Sequence, residues 1–346
     1  MEAMKAVVLV GQNKFDIKEI PVPVISDNEV LLKVRACGIC GGDLRFYQQG
    51  PARFGLEKML LGHEFTGEIV EIGKNVTGWE TGTRVTVSPY IHCFKCEFCM
   101  RHEYNRCLVY NCVGITAYGA YAEYVKVYPY QMIPISEKIS DEEGTLFQPI
   151  ACGLNTARLG DCKLGDTVVV SGAGVIGLAT MIWARAMGVH RLIATEVSDV
   201  RINCIKENGL ADIILNPMKD DIVKEITEIT GGIGADTALE CSGNRKAQVQ
   251  TVEYVRNGGI IVAFGTPFDD APTEVNWSKL SFKDLTVKGG RSEGSQPGMY
   301  EFSIKAVENG QFDIKKIPYS TGSLDDVEEL FRKSINGEIV KGIFVF

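Results

Sequence analysis

Four cysteines, Cys93, Cys96, Cys99 and Cys107, fall within one stretch of fifteen residues. Four thiolates close a tetrahedral zinc site and leave no open position, which is the composition of a structural site. Residues so close in sequence are poorly placed for a disulfide framework and well placed to wrap one metal. The total of 11 cysteines is odd, which also disfavours a fully paired set. The sequence therefore predicts a lobe organised by zinc that does no chemistry. His92 and His102 flank the cluster and read as surface residues, because the cysteines already satisfy the metal.

A second set has the composition of a reactive centre. Cys40 lies in the run Cys37-Gly38-Ile39-Cys40-Gly41-Gly42-Asp43, and His63 and Glu64 lie in Gly62-His63-Glu64-Phe65. Thiolate, imidazole and carboxylate suit zinc, and three protein ligands leave room for water or substrate. Taken alone, the same residues also admit a buried structural histidine beside an unrelated cysteine.

The third set reads as a phosphate cradle. Val168-Val169-Val170-Ser171 leads into Gly172-Ala173-Gly174-Val175-Ile176-Gly177, a strand followed by G-x-G-x-x-G. Gly172 permits the tight turn, Gly174 lets the backbone approach a pyrophosphate, and Gly177 lets helix and strand pack closely. Val175 and Ile176 open the helix whose N-terminus would face the anion. Glu196 ends the next strand, where a carboxylate accepts hydrogen bonds from the adenosine ribose and repels a 2′-phosphate. NAD is favoured over NADP on that ground. Arg201, five residues on, belongs to the same expected cofactor site.

These sets need elements to position them. Residues 1 to about 155 read as mainly β, with strands at Ala6–Val10, Glu29–Arg35, Glu64–Ile72, Arg84–Ser88 and Ala122–Val127. From about residue 156, strands alternate with helices: Thr167–Ser171, Arg191–Thr195, Ala211–Leu215, Ala235–Glu240, Gly259–Phe264 and Leu285–Lys288 are the strands. That alternation means a parallel sheet covered by helices on both faces. A last stretch carries helices at Met299–Glu308 and Leu324–Ile335 and ends in a strand, Gly342–Phe346, expected to return to the first domain. The expected domains are thus 1–155, 156–294 and 295–346.

Composition narrows the class. A chain of 346 residues suggests about two domains. Its 45% hydrophobic and 23% charged residues are ordinary for a globular protein. A net charge of −8 argues against nucleic acid or an anionic membrane as the partner. No apolar run approaches the ~18 residues of a membrane span, and no secretory signal is visible, so a cytoplasmic location is expected.

In this order, the Cys40 segment, Gly-His-Glu, the four-cysteine lobe and G-x-G-x-x-G resemble the zinc-dependent medium-chain alcohol and polyol dehydrogenases, over essentially the whole chain. Within them the chain looks most like the sorbitol, galactitol-phosphate, butanediol and threonine dehydrogenase branch. The resemblance implies an α/β protein: a GroES-like, mainly-β catalytic domain in two pieces around a Rossmann domain, with NAD in the cleft. It implies two zincs per subunit, a catalytic one on Cys40, His63 and Glu64 and a structural one on the four cysteines. Asp43 matches the acid that supports the zinc-bound histidine. The implied reaction is reversible, NAD-dependent oxidation of a secondary alcohol, such as a polyol, sugar alcohol or its phosphate, to a ketone. A homodimer or homotetramer is implied, paired through the edge strand Leu285–Lys288.

Three positions depart from that pattern. Gly42 stands where a serine or threonine usually relays the alcohol proton, leaving water, ribose hydroxyls or a group such as Tyr47 for that task. Gln148 stands where a glutamate usually approaches the zinc or its water, and Cys152 lies one helical turn on as an alternative ligand. Asn155 stands where many relatives carry a histidine. These departures admit two alternatives: a same-fold NAD(P)H-dependent reductase without catalytic zinc, and a threonine-type amino-alcohol dehydrogenase. A non-catalytic nucleotide-binding protein is a third. Tyr47, Phe54, Tyr90, Tyr118 and Arg291 are candidates to line the substrate pocket, although the aromatics read more often as ordinary packing and Arg291 equally as a solvated charge or a cofactor contact.

Overall fold

The structure is a computed structural model that describes residues 3–267, 269, 271–292 and 298–346. Two compact units are present. One holds the chain up to Gln148, the stretch ending at Glu308, and Tyr319–Phe346; the other holds Pro149 onward and Asn309–Pro318. The expected divide at 155/156 falls inside the helix Phe147–Leu159, and the units part earlier, between Gln148 and Pro149. The expected divide at 294/295 lies outside the described residues.

The first unit is built on a sheet in the order Ser320–Gly322, Gly342–Val345, Val30–Gly38, Glu64–Ile72, Arg84–Val87, Met132–Pro134, with Tyr124–Val127 also paired to Val30–Gly38. A hairpin, Ala3–Gly11 with Lys14–Pro21, lies beside it as a separate two-stranded sheet. Val30, Leu32, Val34, Phe65, Ile69, Val85 and Val87 are buried along these strands and pack with Phe331 and Phe344 from the end of the chain. The terminal strand pairs antiparallel with Val30–Gly38, Phe344 opposite Cys37. This brings residues after 340 to the strand end that precedes Cys40.

The second unit holds a six-stranded parallel sheet in the order Ile213–Leu215, Arg191–Thr195, Thr167–Ser171, Ala235–Glu240, Val255–Ala263, Thr286–Gly289. Its strand order reverses between Thr167–Ser171 and Ala235–Glu240, the doubly wound arrangement whose ligand site lies at the carboxyl ends of the strands. Val168, Val169 and Val170 are fully buried, as strands covered on both faces must be. The strand expected to begin at Gly259 begins at Val255. Val255 pairs with Ala235, and the register shifts before Thr237 pairs with Ile260, so a bulge takes up the glycines.

Candidate functional site

The register of two strands assembles the reactive set. Gly38 lies opposite Glu64 at the ends of Val30–Gly38 and Glu64–Ile72. Cys40, two residues past one strand, therefore meets His63, one residue before the other. The Cys40 sulfur, a His63 ring nitrogen and a Glu64 carboxylate oxygen lie within 4.8 Å of one another. His63 and Glu64 are buried, and Cys40 is half-buried.

Neighbouring groups oppose the effect of burial on Cys40 and on His63. Cys40 caps the helix Gly41–Gln49, and its sulfur accepts the Gly42 N–H at 3.4 Å. A helix N-terminus favours a thiolate. Burial works against ionising Cys40, yet the adjacent His63 pulls its thiol below the usual range. Burial likewise opposes a charged His63, and Cys40 and Asp43 together push it well above its usual value.

Asp43 accepts the Cys40 N–H at 3.0 Å and the Tyr121 O–H at 2.8 Å, both on Oδ2. Its Oδ1 lies 3.5 Å from His63 Nδ1, and neither of these buried atoms has a hydrogen-bond partner. Glu64 Oε2 pairs with the ammonium of Lys341, which also donates to the Ile39 carbonyl at 3.0 Å. Lys341 is only 2% exposed, and burial brings its pKa down to about 8. Gly38 leaves room for that pair, since a methyl there would come within 2.7 Å of Lys341 Cε and displace the pair's side chains. Gly62 has φ +98°, and a methyl on it would sit 2.7 Å from the Tyr121 ring. Gln148 is buried at the start of Phe147–Leu159, and Cys152 is buried further along the same helix.

In the lobe, Cys93, Cys96, Cys99 and Cys107 bring all four sulfurs within 4.8 Å of one another. The Cys93 and Cys99 sulfurs are 3.8 Å apart. A zinc tetrahedron with sulfur at about 2.3 Å has edges of about 3.8 Å, whereas a disulfide needs about 2.05 Å. Backbone N–H groups of Leu108 and Cys99 lower the Cys96 thiol to about 6, while burial lifts Cys99 to about 12. The donors and spacing fit one tetrahedral zinc. His92 stacks on Tyr104 at 5.0 Å, and His102 is exposed.

The glycine turn of the second unit divides its labour. Gly172 has φ +87°, and a methyl there would meet Ser242 at 2.8 Å. One on Gly177 would meet the Gly172 carbonyl at 2.0 Å, whereas one on Gly174 meets nothing within 4 Å. The open space at Gly174, beside the uncapped N-terminus of Val175–Ala186, could hold a phosphate. A cavity of about 370 Å³ opens here, lined by Gly172, Gly174, Glu196, Arg201, Ser242 and Lys246 among others. Glu196 is buried. Its carboxylate accepts N–H groups from Ala173 at 2.7 Å, Val197 at 2.8 Å and Ser198 at 2.9 Å, with the Arg201 guanidinium 3.9 Å away.

Tyr47, one of three candidates for the relay, has its hydroxyl engaged elsewhere. Its hydroxyl donates to Glu328 at 2.7 Å, and its ring stacks on Phe15 at 4.8 Å within the core. Its place about two helical turns beyond Cys40 brings it to Val327–Ile335, where Glu328 stands 281 positions away in sequence. Asn155 donates to the Ser292 carbonyl at 3.0 Å. Tyr118 is largely exposed, and Phe54 packs edge-on against Phe46. Lys341 and Tyr121 were not legible as site residues, because nothing near them in sequence carries a motif.

Residues 26–137 match the alcohol dehydrogenase GroES-like domain, and residues 175–308 match the zinc-binding dehydrogenase domain. The chain is 31% identical to the sorbitol dehydrogenase of Bacillus subtilis, over 96% of this chain and 94% of that one. It belongs to the zinc-type medium-chain alcohol dehydrogenase family. It is 33% identical to the L-threonine 3-dehydrogenase of Pyrococcus horikoshii, over 95% of this chain and 94% of that one. A solved structure of a zinc-binding dehydrogenase from Sinorhizobium meliloti, bound to NADP, superposes with a TM-score of 0.90 at 28% identity, covering 100% of both chains. The protein is accordingly an oxidoreductase with a GroES-like domain and a Rossmann domain. Among the described residues, no helix is long and apolar enough to cross a membrane.

Proposed function

We propose that this protein is an NAD-dependent, zinc-assisted dehydrogenase that oxidises a secondary alcohol, of the polyol or sugar-alcohol class, to a ketone and runs reversibly. The convergence of Cys40, His63 and Glu64 within 4.8 Å carries the reading. When bound, zinc supplies a Lewis acid for an alcohol oxygen and NAD supplies the hydride acceptor. Cys40, His63 and Glu64 would hold the metal and leave a position open. Asp43 faces His63 Nδ1 and keeps the ring oriented, leaving the other nitrogen to ligate. Lys341 occupies one oxygen of Glu64, so the other is the one free to ligate.

Charge follows from the same residues. One thiolate and one carboxylate neutralise a dication, and Gln148 adds no charge where a glutamate would make the cluster negative. The buried Lys341 ammonium adds further positive charge, so the centre favours an ionised alcohol. Gly42 offers no side-chain atom to receive the proton, although only Cys40 Sγ, at 3.8 Å, would stand near a methyl there. The identity to a threonine dehydrogenase supports an amino alcohol as the second reading. A panel of polyols, their phosphates and amino alcohols, followed by NADH absorbance, separates the two.

The pyrophosphate is assigned to Gly172, Gly174, Val175, Ile176 and Gly177, and the adenosine ribose to Glu196 with Arg201. The Glu196 charge is the basis for NAD over NADP. Glu196→Gln, which keeps an acceptor and removes the charge, is expected to cut the NAD-to-NADP ratio of kcat/KM by about tenfold or more. An unchanged ratio contradicts the assignment.

A homodimer, or a tetramer built from it, is proposed through the edge strand Thr286–Gly289. Val287 on it is exposed, as are Trp277 and Phe282 nearby, and a groove of about 910 Å³ runs alongside. An open strand edge beside apolar surface favours pairing. Val287→Glu is expected to convert the sedimenting species to a monomer; a wild-type protein that is already monomeric removes the proposal. The cytoplasm is the proposed location.

A further inference from the structure

We propose that Tyr121 is a positioning residue of the metal centre, whose buried hydroxyl holds Asp43 so that its free carboxylate oxygen stays aimed at His63. The inference rests on the assignment of Cys40, His63 and Glu64 as zinc ligands and adds a residue to their support.

Asp43 and Tyr121 are both fully buried. Asp43 Oδ2 accepts two donors, Tyr121 O–H at 2.8 Å and Cys40 N–H at 3.0 Å. Its Oδ1 accepts none and lies 3.5 Å from His63 Nδ1. Two donors on one oxygen fix the plane and direction of a carboxylate, and so decide where the other oxygen points. The phenol is itself held. Its ring packs edge-on against Phe344 at 4.9 Å and Phe331 at 6.2 Å, and its backbone N–H donates to the Leu61 carbonyl at 3.0 Å. The same ring lies against Gly62, the residue before His63. Tyr121 thus braces both the backbone that carries His63 and the carboxylate that orients its ring, across 78 positions of sequence. A phenylalanine would fill the same space in the core and omit only the donor to Asp43.

The test is Tyr121→Phe, with the zinc dissociation constant of each site measured by chelator competition. Loss of support of this kind weakens a metal site by about 10–100-fold. That weakening is expected at the Cys40 site alone, with the four-cysteine site unchanged as an internal reference. The cobalt-substituted protein should show a shifted visible absorption band. Turnover should fall in kcat while KM for NAD holds. Combined with Asp43→Asn, the second change should add little to the first, as for residues acting in one chain. Wild-type affinity and spectrum in Tyr121→Phe overturn the proposal. So does an equal loss of stability with and without metal at that site, which marks packing alone. Should Tyr121→Phe not fold, wild-type affinity in Asp43→Asn overturns it equally. A wild-type protein that binds zinc only on the four cysteines removes this inference and the function reading together; two zincs in wild type with no change in the variant removes this inference only.

Discussion

Cys40→Ser is expected to lower kcat/KM by about 10³-fold or more and to leave NADH binding unaltered. The substitution takes the strongest donor from a site whose remaining ligands are one imidazole and one carboxylate already paired with Lys341. A hydroxyl is a poor thiolate substitute for zinc, and the developing charge on the alcohol oxygen loses its main stabilisation. Losing a single electrostatic stabiliser costs about 10²–10³ in related chemistry, and losing the metal costs more. NADH binding, read by fluorescence titration, depends on Gly172–Gly177 and Glu196 and is expected to survive. Retained turnover in Cys40→Ser would mean that the reaction does not run through this centre. Retained turnover together with reduction of an activated double bond by NADH would point to the zinc-free reductase chemistry.

Cys99→Ser is expected to unfold the lobe and spare the Rossmann unit. Around this lobe Phe94, Met100, Leu108 and Val109 are exposed, and Cys99 is buried. So little buried apolar surface cannot hold a segment of this length. Structural zinc instead contributes folding free energy of about 10–16 kcal/mol in comparable sites. With one thiolate gone, cleavage between residues 93 and 110 in limited proteolysis should accelerate by at least about 10²-fold, and one zinc per subunit should be lost. The NADH affinity of the resistant remainder should hold. A lobe that keeps its protection without zinc would mean that the cysteines hold no structural metal.

How far these features could be read from the chain follows from how local they are. The four cysteines declare themselves because all four donors lie in one short loop. The glycine turn does so because strand, turn and helix are contiguous. The parallel sheet is legible because short strands such as Val168–Val170 alternate with helical stretches along the chain. Cys40, His63 and Glu64 are harder, since their meeting depends on Gly38 falling opposite Glu64, a register that no local pattern fixes. Lys341 is harder again. A lysine near the end of a chain reads as a solvated charge, and its pairing with Glu64 spans 277 positions. Tyr121 reads as an ordinary core aromatic, which its ring is, and only its hydroxyl belongs to the site. Tyr47 shows the converse, because closeness to Cys40 in sequence made it a relay candidate, while its hydroxyl is taken by Glu328 and its ring packs on Phe15. The helix Phe147–Leu159 is only partly legible: the Gln148–Cys152 spacing reads as one helical turn, whereas Gly153 and Pro149 weaken the pattern along its length.

Zinc per subunit, counted on wild-type protein purified without chelators and followed together with turnover during slow chelation, tests the zinc-assisted reading most directly. Two zincs are expected, with activity lost in step with the first to leave and restored when it is returned, while the second stays on Cys93, Cys96, Cys99 and Cys107. One zinc held by those four cysteines, with turnover indifferent to chelator, would contradict a catalytic metal on Cys40, His63 and Glu64.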